Sequence, residues 1–342
     1  MHPGYSNDVI GRAEAHLKGH VDYRFVKDTV RAETSPHLRQ FQTDVKPFEA
    51  TYAQNAHLQR GFNAQLVDAF IQYLLRVSPD ARTRPISILD LCCGDGGITS
   101  ALFDKLIGAG VQIGKIIGYD ISGPQITLAK QYEREDGRLQ FRVQDIKSMT
   151  DRAEYDFVIS LFGLHWIEDI DAVAVKVSEA LKPNGNLMYF VPLEKKELFS
   201  FRQRTMGLSN WQPHFTDYTL VPFHAEHLPY VNAFFPFFQS ENKDEIVGMQ
   251  LVEFSEERFK QFLASWMQEV RHLRPEDKEQ YVAQLIQSLP ADAECHDAVK
   301  VEIDGVPMVR FNERCYWFFG KKKSTENLEA SSELVHAKMS GF

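Results

Sequence analysis

The sequence lacks any apolar run of about 18 residues, so no helix is expected to span a bilayer. It is poor in cysteine: four in 342 residues do not make a disulfide scaffold. Cys92 and Cys93 are adjacent and Cys295 and Cys315 lie far along the chain, so neither a zinc pattern nor a C-x-x-C redox motif is present. Excess positive charge is missing too. A formal net charge of −9 argues against a partner held through many phosphates, and no nucleic-acid partner is expected. The first twenty residues carry no apolar core behind a basic end, the mark of a secretory signal, and cytoplasm is the expected compartment. At 44% hydrophobic and 25% charged, what remains is the composition of a globular protein.

Residues 1–45 are polar and without sustained periodicity, and read as an N-terminal extension. Phe62, Leu66, Ala69, Phe70, Tyr73 and Leu74 then recur at helical spacing. From residue 86 strands alternate with helices. "ISILDL", "KIIGYD" (115–120), "LQFRV" (139–143), "YDFVISLF" (155–162) and "GNLMYFVPL" (185–193) read as strands. Between them lie helices from about Ile98, from "SGPQITLAKQYERE" with Ser122 as N-cap, and from "IDAVAVKVSEALKP", ending at Pro183. This alternation predicts an α/β fold with a parallel sheet covered on both faces. Ligands of such sheets bind outside the carboxyl ends of the strands. After residue 195 the rhythm gives way to an aromatic-rich segment to about 295, with a sixth strand at 245–254, two helices from Ser255 and Pro275, and a late strand over 306–322. It reads as a helical cap inserted in a domain spanning 46–320, followed by a polar tail over 321–342.

The chemistry gathers at strand ends. In "ILDLCCGDGGITSAL" Asp90 closes a strand, and Gly94, Gly96 and Gly97 form a turn in which backbone can approach a ligand. The following helix aims its N-terminus at that ligand. Asp120 ends the second strand, where a carboxylate accepts both hydroxyls of a ribose. Asp145 follows the third strand, placed to accept from an adenine amine, with Ile146 against the ring. Read singly, each of these residues is also an ordinary turn or cap.

The constellation resembles class I S-adenosylmethionine-dependent methyltransferases, which implies a Rossmann-like, doubly wound, mostly parallel seven-stranded sheet. "ILDLCCGDGG" looks like the first motif of that family, with Cys92 where its first glycine usually stands. Cysteine is small and apolar enough for that place if it packs closely. The resemblance implies that Asp90 holds the loop or reaches the donor's amino group through water. It gives Asp120 to the ribose and Asp145 and Ile146 to the adenine. Ile121 beside Asp120, and Ser160 and Leu161 at the end of the fourth strand, complete the donor contacts. "SLFGLHWIEDI" (160–170) is similar to a segment of the trans-aconitate, juvenile hormone acid and malonyl-carrier-protein methyltransferases, which esterify carboxylic acids. "TYAQNAHLQRGFNAQLVDAF" (51–70) resembles the helical entry of the same subgroup, with Tyr52 and Gln59 over the donor.

On this reading His165 and Trp166 lie beside the transferred methyl. The indole would flank the sulfonium and the imidazole would bind or deprotonate the acceptor; otherwise both are structural. Arg202 and Arg204 are candidates to clamp an acidic substrate, or form a solvated face. Tyr230, with Phe234, Phe235, Phe237 and Phe238, lines the substrate site or packs the core. "HAEH", with His224 and His227 three apart, lacks an acidic partner pattern, and no metal is expected. The segment after the fourth strand is not the Asn/Asp-Pro-Pro-aromatic motif that grips a base amine, and no cysteine lies beside it to attack a pyrimidine. The expected activity is therefore methyl transfer to oxygen of a small or acyl-chain carboxylic acid. The alternatives are a hydroxyl, amine or protein side-chain acceptor, a donor-binding module without turnover, or an NAD(P) oxidoreductase. Glycines at 94, 96 and 97, with Thr99 where a dinucleotide fingerprint has its last glycine, favour the methyl donor.

Overall fold

Residues 57–167, 169–192, 196–218, 228–241, 246–289 and 298–324 are described by the computed structural model. The front extension, Tyr52, His224, His227, Cys295 and the tail beyond 324 lie outside the described residues, as do the side chains of Gln59 and Cys315. The chain divides into two units. The larger takes the described residues of Leu58–Val191, His227–Glu245 and Tyr316 onward; the smaller takes those of Pro192–Glu226 and Ile246–Cys315.

The larger unit is built on β1 (Ile86–Leu91), β2 (Ile113–Asp120), β3 (Leu139–Val143), β4 (Tyr155–Leu161) and β5 (Leu181–Pro192), all mutually parallel where they pair. β6 (Phe238–Ser240) and the end of β9 (Val306–Lys322) extend it to the order β3-β2-β1-β4-β5-β9-β6, with β6 antiparallel to β9. The order reverses between β1 and β4. Because parallel crossovers are right-handed, helices on the two sides of that point cover opposite faces. These helices are α1 (His57–Val77), α2 (Gly97–Gly108), α3 (Gly123–Ala129) and α4 (Ile170–Ala180). Burial on both faces explains why β4 reads as an uninterrupted apolar run, with all seven residues buried. On α1, Leu66, Phe70, Tyr73 and Leu74 are buried as their spacing predicts. The Tyr73 hydroxyl donates to Asn186 Oδ1 at 3.1 Å.

Two expectations shift. The helix before β5 ends at Ala180, and Pro183 lies inside β5. The ladder tolerates it because the pairing shifts register between Tyr155 and Phe157, and Asn184 takes a left-handed φ of 62° opposite that irregularity. The short β6 was not legible, nor was β8 (Ala298–Ile303) in the smaller unit.

The smaller unit holds α5 (Lys196–Met206), β7 (Ile246–Ser255), α7 (Glu256–Trp266), α8 (Gln268–His272), α9 (Pro275–Gln287), β8 and the beginning of β9; α6 (Leu228–Phe234) belongs to the larger unit. β8 runs antiparallel to β9, Ala298 facing Phe311. Ser255 caps α7, accepting from the Arg258 N–H at 3.4 Å, and Pro275 sits in the first turn of α9. Phe254, Phe259 and Phe311 are buried together.

Candidate functional site

The register of the sheet sets four loops side by side at the carboxyl ends of β1 to β4. Leu91 pairs with Tyr119, Asp120 with Val143, and Asp90 with Ile159. The first loop turns through Cys92, Gly94 and Gly96, all with positive φ (59°, 56° and 74°). At Gly96 there is no room for a side chain, since a Cβ there would lie 2.7 Å from that of Ala129 and 2.8 Å from the Phe141 ring. The Cys93 N–H donates to the Tyr119 carbonyl at 3.0 Å, and the Gly97 N–H donates to Asp95 Oδ1 at 3.1 Å as α2 begins. Asp120 clasps this loop: its two carboxylate oxygens accept from the N–H groups of Gly94 (2.9 Å) and Ser122 (2.8 Å). Ser122 then caps α3, accepting from the Gln125 N–H at 3.4 Å.

Asp90 is buried and accepts from the Thr99 hydroxyl at 2.6 Å. Burial pushes its pKa up to about 7, opposed by the Thr99 bond and aided by the Asp120 charge. Asp120 is also raised, by burial, against the two backbone donors. Neither carboxyl has a basic side-chain partner among the described residues. Two acids are thus gathered at a glycine turn with no cation to compensate them, an environment that suits a positively charged, hydroxyl-bearing ligand. Around them Ile121 is 70% and Val143 57% exposed, apolar side chains left open at the ends of β2 and β3. Val143 was not anticipated; an apolar residue closing a strand beside an expected ligand was the available signal. Asp145 caps a short 3-10 turn through the Lys147 N–H at 2.9 Å, and Ile146 is buried beneath it.

The loop after β4 is strained in its turn. Phe162 has a φ of 60°, and Leu164–Trp166 form one 3-10 turn. Ser160 is fully buried and donates from Oγ to the Leu91 carbonyl at 2.9 Å, so it holds the first loop from below; Leu161 is buried beside it. The rings of His165 and Trp166 lie 5.0 Å apart. His165 is buried, and desolvation lowers its pKa to about 3, so its imidazole is neutral near pH 7.

The expected acid clamp is placed differently. Arg202 is 1% exposed and donates from Nε and Nη2 to the two carboxylate oxygens of Glu269, both at 2.7 Å. Its guanidinium is committed within the smaller unit. Arg204 is exposed on the same helix, its guanidinium 4.4 Å above the Phe201 ring. Tyr230 is fully buried in the larger unit, 6.1 Å from the Tyr189 ring, in a cluster with Phe234 and Phe318; this is core packing. No metal-holding cluster occurs among the described residues.

Residues 88–185, the stretch from β1 into β5, match the family described as "Methyltransferase domain". They form a class I, S-adenosylmethionine-dependent methyltransferase domain. The domain is similar to the malonyl-[acyl-carrier protein] O-methyltransferase of Priestia megaterium, 29% identical over 139 residues, which are 41% of this chain and 46% of that one. It resembles the trans-aconitate 2-methyltransferase of Streptomyces avermitilis at 32% over 127 residues, 36% of this chain and 45% of that one. The juvenile hormone acid O-methyltransferase of Bombyx mori is 26% identical over 147 residues, 42% of this chain and 51% of that one. The chain spans about half the length of the curated relatives it matches. Among the described residues of this methyltransferase domain, and of the chain as a whole, no helix is long and apolar enough to cross a membrane.

Proposed function

We propose that the chain transfers the methyl group of S-adenosylmethionine to an oxygen of a small or acyl-chain carboxylic acid. The observation that carries this reading is the clasp of Asp120 on the glycine turn, with Asp90 buried beneath it and neither acid paired with a basic side chain among the described residues. Asp120 keeps lone pairs for the ribose hydroxyls while its accepted bonds hold the loop. Ile121 and Val143 offer apolar surface to the adenine, with Asp145 and Ile146 at its far edge. Asp90 stabilises the loop through Thr99 and faces the positive end of the donor. Cys92, Gly94 and Gly96 bring backbone to the methionine part; Ser160 and Leu161 support that loop, and Tyr52 and Gln59 are assigned to cover the donor.

An acceptor carboxylate attacks the methyl carbon in line with the leaving sulfur. The carbon–oxygen bond forms as the carbon–sulfur bond breaks, and no proton moves. Such a displacement depends on alignment and exclusion of water rather than on acid–base groups. His165 supports the choice of acceptor. A neutral imidazole whose pKa lies near 3 is a poor base for a hydroxyl, whereas a carboxylate needs no deprotonation. His165 and Trp166 then shape the methyl-transfer end of the site.

The test has two arms. Calorimetry should give binding of S-adenosylhomocysteine and none of NAD(P); the reverse result overturns the donor assignment. With radiolabelled donor, a panel of carboxylic acids should yield label released by mild base, as an ester requires. Base-stable label on protein or amines refutes the carboxylate reading, and donor binding without product refutes catalysis.

A further inference from the structure

A feature of the two strained loops is explained neither by donor chemistry nor by ordinary packing. Cys92 sits in the left-handed region, where a non-glycine residue is disfavoured. Across from it, Gly163 has an ordinary negative φ of −116°, so its backbone does not require glycine. Space does. A Cβ built on Gly163 overlaps the Cys92 Cβ outright and lies 2.9 Å from its Sγ and 3.1 Å from Ser160 Oγ. The side chain missing from one loop is carried by the other. Ser160 ties the same two loops from beneath through the Leu91 carbonyl. Burial and the neighbouring Asp120 and Asp90 charges push the Cys92 pKa up, which disfavours the thiolate.

We propose that Cys92 and Gly163 are a size-matched positioning pair that fixes the donor turn against the loop bearing His165 and Trp166. The inference rests on the donor-binding reading of that turn. Cysteine strains its own backbone but fills the gap between the loops, and glycine at 163 makes the gap.

Calorimetric titration with S-adenosylhomocysteine tests this in the full chain, on variants whose thermal midpoints lie well above the measuring temperature. Gly163→Ala should weaken binding by about tenfold or more, and Cys92→Gly alone by about threefold, because the gap is left unfilled. Combined, Cys92→Gly with Gly163→Ala moves the methyl from one loop to the other and should return affinity to within about threefold of the parent. Cys92→Ala with Gly163→Ala should remain as weak as Gly163→Ala, because the colliding atom is the Cβ and not the sulfur. A merely structural site would be rescued by neither or by both. If Gly163→Ala does not fold, recovery of folding and affinity by glycine but not alanine at 92 carries the same comparison. Parental affinity in Gly163→Ala, or equal rescue by alanine and glycine, overturns the pair while leaving the donor reading intact. A parent chain that does not bind S-adenosylhomocysteine overturns both.

Discussion

The two ends of one parallel sheet treat aspartate in opposite ways. At the amino end, near the start of β4, Asp156 accepts from the Ser87 N–H at 2.8 Å, from Arg84 at 2.7 Å and from Lys182 at 2.9 Å. Burial alone would raise its pKa, but Lys182, the Ser87 N–H and Arg84 together outweigh that and hold its carboxyl below the usual carboxylate range. At the carboxyl end Asp90 is buried and Asp120 half-buried, and burial raises both. On the proposed reading, the difference separates structure from function. A charge that is fully compensated closes a sheet end. Two that are not are an unfavourable arrangement for the folded chain by itself, and persist where a ligand completes them.

The contrast is broken most directly at Asp156. Asp156→Ala should cost about 3 kcal/mol, since it leaves two cations and a backbone donor facing one another. Chemical denaturation measures it, and affinity for S-adenosylhomocysteine in the folded protein should not move. A lowered carboxylate stabilises above its unfolded pKa, so its contribution is present at neutral pH and lost as pH falls below about 4. Asp120→Ala should do the reverse. Donor-product affinity should fall by about 100-fold, roughly 2.7 kcal/mol, as the loop N–H groups and the ribose lose their acceptor. Retained affinity would remove Asp120 from the ribose.

The same contrast explains what was legible. Asp90, Asp120 and the glycine turn could be read because a strand's end and the loop after it are contiguous in sequence, and parallel register aligns such ends. The parallel pairing of β1 to β5 followed from alternation, and β9 was legible from the stretch over 306–322. What escaped depends on partners distant in the chain. Glu269 lies 67 residues from Arg202, and nothing around Arg202 announces that a buried carboxylate awaits it. Tyr230 stands in an aromatic run that reads equally as wall or core, and its burial beside Tyr189 decides for core. The three residues of β6 are too few to show a period. The left-handed φ of Cys92 was hidden because small size, and not backbone conformation, was the evident requirement.

Asp90→Asn sharpens the comparison further. The amide still accepts from Thr99 but carries no charge to desolvate. With a folded pKa near 7 against 3.8 unfolded, Asp90 binds a proton on folding between those values, so stability falls as pH rises through that window. Asn has no such dependence. The variant should therefore match the parent near pH 4 and exceed it by on the order of 2 kcal/mol at pH 8, read from denaturation midpoints at the two pH values. Equal midpoints at pH 8 would mean that the acid is not desolvated as described.

The smallest effect bears most closely on the ligand. If the raised acids await a cation, binding selects their ionised forms and must release protons. Affinity for S-adenosylmethionine should then rise by up to about tenfold per pH unit below the pKa of Asp90, and level off above it. The window is roughly pH 6 to 8, since the pKa of Asp90 is about 7. Calorimetry in two buffers of unequal ionisation enthalpy counts the protons directly. S-Adenosylhomocysteine, which lacks the sulfonium charge, should release fewer, and Asp90→Asn should release fewer still. Equal release by donor and product would show that the sulfonium is not what the two acids sense, and would move it away from the Asp90–Asp120 end of the site.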